Sequence, residues 1–153
     1  MKVEMGESLF YSWLRHYKRC QVVQTNWKPS RSWDLHNEKK LSEFMDASGA
    51  FFVEKRGYSI FGTTSFRQVL NQAEVDALGI SISDGTIATY AVDVAFHESG
   101  MNYGDRKETA EKVIQKLLRA SICVSGYLGS DEGEIIFASR KISKSVVADL
   151  RPC

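Results

Sequence analysis

Proline and cysteine are scarce in this chain, and each scarcity excludes something. Two prolines, Pro29 and Pro152, stand in 153 residues, and no stretch is rich enough in Pro, Gly or Ser to read as a linker. The three cysteines, Cys20, Cys123 and Cys153, are odd in number and far apart, with no CxxC pair. That spacing argues against a disulfide framework and against a structural zinc site. Cys20 and Cys123 are expected as small buried hydrophobes. No apolar run approaches the roughly 20 residues needed to cross a bilayer. The opening Met1-Lys2-Val3-Glu4-Met5-Gly6-Glu7 has no signal-peptide core, so a cytoplasmic location is expected. Phosphate-cradling P-loop, dinucleotide GxGxxG, HExxH and GxSxG patterns are all missing, as are internal repeats.

What is present is the composition of a folded domain: 43% hydrophobic and 25% charged residues, outside the range of disordered chains. The length predicts one domain over 1–153, or the N-terminal domain of something longer. Net charge is +1, unevenly spread: eight basic and four acidic residues in 1–40, three and nine in 41–105, nine and six in 106–153. An acidic middle between basic flanks suits a cation-holding centre bordered by phosphate-attracting surface. It equally suits ordinary solvated faces.

Hydrophobic spacing predicts the elements. Leu9, Phe10, Trp13, Leu14 and Tyr17 recur at helical intervals over 6–20, with Arg15, Lys18 and Arg19 loading the last turn. Val22-Val23 begins a short strand, 26–34 reads as a loop, and 37–47 as a helix that stops before Ser48-Gly49. Phe51-Phe52-Val53 and Tyr58-Ser59-Ile60-Phe61 are aromatic and β-branched and read as strands. A half-buried strand follows over 72–80, a turn at Ser83-Asp84-Gly85, and a strand over 87–96. A strong amphipathic helix over 106–124, a strand over 134–138 and a short helix over 143–150 complete an α/β layout.

The chemistry concentrates in two acids on consecutive strands, Asp76 and Asp93. Paired strands bring same-face side chains within about 5–8 Å, and two carboxylates there form an oxygen site suited to Mg²⁺ or Mn²⁺. Asp93 interrupts an apolar stretch, where an unpaired carboxylate is costly. Glu74 and Asp76 also suit the solvated face of an edge strand.

The run Ala73-Glu74-Val75-Asp76-Ala77-Leu78-Gly79-Ile80, a turn, then Tyr90-Ala91-Val92-Asp93-Val94-Ala95 resembles the core of the PD-(D/E)XK nuclease superfamily, which includes restriction endonucleases and archaeal-type Holliday junction resolvases. The resemblance implies a restriction-endonuclease-like core (αβββαβ): a central mixed sheet with a three-stranded meander, flanked by helices. It implies DNA phosphodiester hydrolysis, with Mg²⁺ or Mn²⁺ held by Asp76 and Asp93 and joined by Glu7 from the first helix. A homodimer is implied where both strands are cut. Where that family carries a lysine two residues after the second acid, this chain has Ala95. Lys107, Lys112 or Lys116 from the following helix, or His97 beside the strand, are candidates for its work; Glu98 turns inward only if the strand breaks at Ser99-Gly100. Each has a plainer reading as well: Glu7 as a first-turn acid, His97 as a structural histidine, the lysines as solvated. The replacement of the lysine also leaves open a fold relative without catalysis, serving nucleic-acid binding or assembly.

Two features suit a nucleic acid, DNA above all. Trp27, Lys28, Arg31 and Trp33 mix aromatics and cations in one stretch, able to stack on bases and hold phosphates. The tryptophans equally suit a satellite core against the first helix. Arg15, His16, Lys18 and Arg19 form a basic helix end that either steers a phosphate backbone or compensates the helix dipole.

Overall fold

The alternating pattern of 75–95 folds as a hairpin. Strand β2 (Val75–Ser83) and strand β3 (Thr86–Ala95) pair antiparallel from Ser83↔Thr86 down to Ala77↔Val92. Asp84 and Gly85 join them with φ of 49° and 78°, the doubly left-handed turn that matches strand twist and that Asp-Gly accommodates at little cost. The structure is a computed structural model and describes residues 3–95, 104–130 and 132–151.

Strand β1 (Val22–Trp27) pairs antiparallel with β2, ending at Trp27↔Val75. Strand β4 (Gly133–Ser139) runs parallel to β3, with Asp93↔Phe137 in register. The result is an α/β arrangement with a four-stranded mixed sheet in the order β1-β2-β3-β4 and five helices among the described residues. Helix α1 (Val3–His16) covers one face, where Leu14 and Cys20 meet Ala77, Val92 and Val94. Gly79 makes that fit possible: a Cβ there would lie 2.7 Å from Cys20 Sγ and 3.1 Å from Leu14 Cδ2.

Helix α4 (Arg106–Leu128) covers the other face and forms the link from β3 to β4. Its start coincides with the expected one because Asp105 and Glu108 make a reciprocal capping box. Ala120, Cys123 and Val124 face the sheet against Leu78 and Ala91. On its far side α4 packs on helix α2 (Glu38–Arg56), helix α3 (Phe66–Gln72) and helix α5 (Lys144–Leu150). There Ile122 joins Met45, Val69 and Leu70, while Ile114 joins Phe52 and Ile60. Apolar neighbours on two sides leave α4 only narrow polar edges. Burial, as expected, claims Cys20 and Cys123, and it pushes the Cys123 thiol up to about 12.

Several expectations are corrected. The first helix ends at His16 and not at Cys20, so Lys18 and Arg19 lie beyond it, and the strand expected over 72–80 runs from Val75 to Ser83, with Gln72 ending a helix. Phe51-Phe52-Val53 is not a strand; α2 continues through it to Arg56 and ends at Gly57, φ 72°. Leu41, Met45 and Phe52 share one helical face, and their burial overrides the local β propensity. Tyr58 to Phe61 is irregular, with Ile60 fully buried and its carbonyl accepting from Gln115 Nε2 at 2.8 Å. Helix α3 was not anticipated, although Ser65 and Gln68 form a capping box that the spacing S-x-x-Q announces. The strand expected at Val22-Val23 runs on to Trp27, which moves that tryptophan from loop to sheet.

One buried group on the α4 side has no partner among the described residues. Thr89 is 2% exposed and its Oγ1 makes no hydrogen bond. An unsatisfied buried hydroxyl costs about 1–3 kcal/mol. Thr89→Val, which keeps the shape and removes the hydroxyl, is expected to raise Tm by about 2–4 °C. A fall in Tm by calorimetry would show that the hydroxyl is satisfied in solution.

Candidate functional site

The β2–β3 ladder stops at Ala77↔Val92, and one step further sets Asp76 opposite Asp93. By strand alternation both acids share a face with Leu78 and Ala91, the face that α4 covers. The Val94 N–H, next in line, donates instead to Asp76 Oδ2 at 2.6 Å. The neighbouring Asp93 carboxyl disfavours the charged form of Asp76. Partial burial, followed by that contact with Asp93, holds Asp76 up at about 6, against the lowering effect of the Val94 N–H.

Across from the pair, Lys116 of α4 puts Nζ 3.4 Å from Asp93 Oδ2 and 5.8 Å from the Phe137 ring centroid. Asp76, Asp93 and Lys116 thus line one polar cleft of about 230 Å³, together with Gln72, Glu74, Arg119 and Ala120. Glu74 sits at its rim, paired with Lys28 at 3.3 Å. Ala95, two residues beyond Asp93, is buried at 2% exposure.

The other sequence candidates lie elsewhere. Glu7 belongs to α1, on the opposite face of the sheet, and does not line the cleft. Lys112 is exposed one turn before Lys116. Lys107 stands 5.5 Å from the Tyr58 ring centroid, about 14 Å along the helix axis from Lys116. His97 and Glu98 lie outside the described residues. Lys18 bonds Glu134 at 2.9 Å and stands over the Trp13 and Tyr90 rings; that carboxylate raises its ammonium above the usual range. Arg15 engages Tyr11 at 3.2 Å, and Arg19 sits at φ 56° in the exposed turn after α1. Neither approaches the cleft's lining. Trp27 is 4% exposed and packed in the core, so its ring has no face for a base. The satellite core against α1 does not form: Trp33 is exposed, and its ring meets those of Trp27 and of Tyr127 at the end of α4. Arg31 is exposed in the loop beyond.

Two cleft residues escaped the sequence reading. Arg119 completes the series Lys112, Lys116, Arg119 at i, i+4, i+7, a stripe legible from helical spacing alone. Gln72 ends α3, a helix that was itself missed.

Among the described residues no group of three or more His, Cys, Asp and Glu side chains is placed to hold a metal ion, so the acid pair stands as a two-carboxylate set. No described helix is long and apolar enough to cross a membrane. No protein-family model, curated protein or solved structure matches the chain.

Proposed function

We propose that this chain is a metal-dependent, DNA-cleaving phosphodiesterase with a restriction-endonuclease-like core. The observation that carries the reading is the meeting of Asp76, Asp93 and Lys116 in one cleft, with Lys116 Nζ 3.4 Å from Asp93. A lysine arriving from α4 would do the work that Ala95 cannot. The topology supports the same reading: a helix, three antiparallel neighbours β1-β2-β3, a helix, and β4 parallel to β3. Here α2 and α3 enter between β1 and β2 as an insertion.

The donor set suits Mg²⁺ or Mn²⁺, which need only one or two carboxylates and complete their shell with water and substrate oxygens. Two facing acids, one of them held up at about 6 by burial and by its neighbour, mark a place where a cation would relieve like-charge repulsion. Bound there, such a cation supplies Lewis-acid polarisation of a phosphoryl oxygen and a more acidic water. The chain's own groups do the rest. Asp76 and Asp93 hold the charge centre against the sheet, with the Val94 N–H fixing the Asp76 carboxylate. Lys116 places a positive charge where negative charge grows on the phosphate.

A second reading, a catalytically silent nucleic-acid-binding or assembly module, is favoured by Ala95 alone. Plasmid and oligonucleotide cleavage separates the two. Wild type is expected to cut supercoiled, single-stranded or branched DNA with Mg²⁺ or Mn²⁺, and Lys116→Met to lose about 10²–10³-fold in kcat. Cleavage at the wild-type rate by Lys116→Met, or no cleavage of any substrate by wild type, would sink the proposal.

A further inference from the structure

Every acid in the cleft is already engaged. Glu74 pairs with Lys28, Asp93 with Lys116, and Asp76 takes the Val94 N–H. Arg119 lines the same cleft, partly buried, yet makes no hydrogen bond or ion pair with any described residue. A guanidinium held in a polar cleft beside three acids, and left out of their pairing, is a donor set awaiting an anion. Its planar fork matches two oxygens of a phosphate at once, which an ammonium cannot do.

We propose that Arg119 is the residue that grips the phosphate of the substrate in this cleft. The proposal rests on reading the cleft as a site that cleaves phosphodiesters. Helix geometry fits the role. Arg119 follows Lys116 by three residues on α4, so the two cations emerge on one edge, one turn apart. Lys116 then stands by the acid pair while Arg119 holds the same phosphate, or the next one, from the side of α3. Lys112, one turn earlier, extends the edge to about 10 Å, enough for the backbone of a nucleic-acid strand to run along α4. The direction of the strand across the protein follows: along this edge, on the face opposite α1.

The test uses the full chain with Arg119→Ala and Arg119→Lys beside wild type. Binding of a fluorescein-labelled oligonucleotide is followed by anisotropy with Ca²⁺, and cleavage by steady-state kinetics with Mn²⁺. Arg119→Ala is expected to weaken oligonucleotide binding and raise KM by about 10- to 100-fold, the loss of one charge-assisted paired contact, with kcat changed much less. Arg119→Lys recovers only part of the loss. Calorimetric Mn²⁺ binding and Tm are expected to stay at wild-type values, because Arg119 is not one of the acids and has no partner to lose. Wild-type KM and affinity in Arg119→Ala overturn the proposal while leaving the cleavage reading intact. If wild type cuts nothing, the cleavage reading fails, and anisotropy still decides Arg119: equal affinity, or no binding by wild type, overturns it.

Discussion

Asp76→Asn is expected to make the protein more stable at pH 8 and inactive in metal-dependent cleavage. Asp76 titrates near 6 in the folded chain against an ordinary 3.8. The folded state therefore holds this proton more tightly than the unfolded state does. The sign follows from linkage: the contribution is intact below about pH 4 and is lost as pH rises through about 6, so ionised Asp76 burdens the fold at neutral pH. Asparagine imitates the protonated acid, with Oδ1 accepting from the Val94 N–H and its amide donating to Asp93. Asp76 is only partly buried and is screened by solvent, so the gain is about 1 kcal/mol, or about 2–4 °C in Tm. It should vanish near pH 4, where wild type carries the proton anyway. Loss of a direct carboxylate should cost more activity than the roughly 10- to 100-fold associated with outer-shell partners of metal sites. Thermal melts at pH 4 and 8 beside a nicking assay read both effects. A variant that melts lower than wild type at pH 8 would mean that the acid pair is a structural bond and not a strained site.

Leu14→Ala should do the reverse, damaging stability and sparing chemistry. Leu14 is fully buried where α1 meets the sheet, against Cys20, Ala77, Val92 and Val94. Its Cδ2 occupies the hollow that Gly79 leaves, so truncation opens a cavity with little to collapse into it. Buried leucine truncations of this kind cost about 3–5 kcal/mol, which in a chain of this size lowers Tm by about 6–20 °C. Because α1 lies on the face opposite the cleft, cleavage measured well below the transition should stay near wild type. A cost under about 1 kcal/mol by urea titration would mean that α1 is not docked on the sheet as described.

How much of this was legible beforehand divides by the range of the interaction. The hairpin of β2 and β3 was readable because period-2 alternation and an Asp-Gly turn act over a few residues. The start of α4 and the positions of β4 and α5 were readable for the same reason. Phe51-Phe52-Val53 misled because its intrinsic preference is weak beside the burial of Leu41, Met45 and Phe52 on one helical face. Trp27 misled because neither its place in β1 nor its packing against α4 is a local property. The acid pair was visible as two residues on successive strands. Lys116 stood as one lysine among several.

The sequence by itself determined that Asp76 and Asp93 sit on adjoining strands of a hairpin, since turn chemistry and alternation set the register within about twenty residues. Only the tertiary structure decided which cation answers them. A helix can present any of its lysines to a sheet, and the choice depends on how it is rotated. Here the rotation is set by Ala120 and Cys123 packing on Leu78 and Ala91 on one side and Ile114 and Ile122 packing on α2 and α3 on the other. With both apolar sides satisfied, Lys116 and Arg119 are left at the edge beside the acids, and Glu7 is left on the far face.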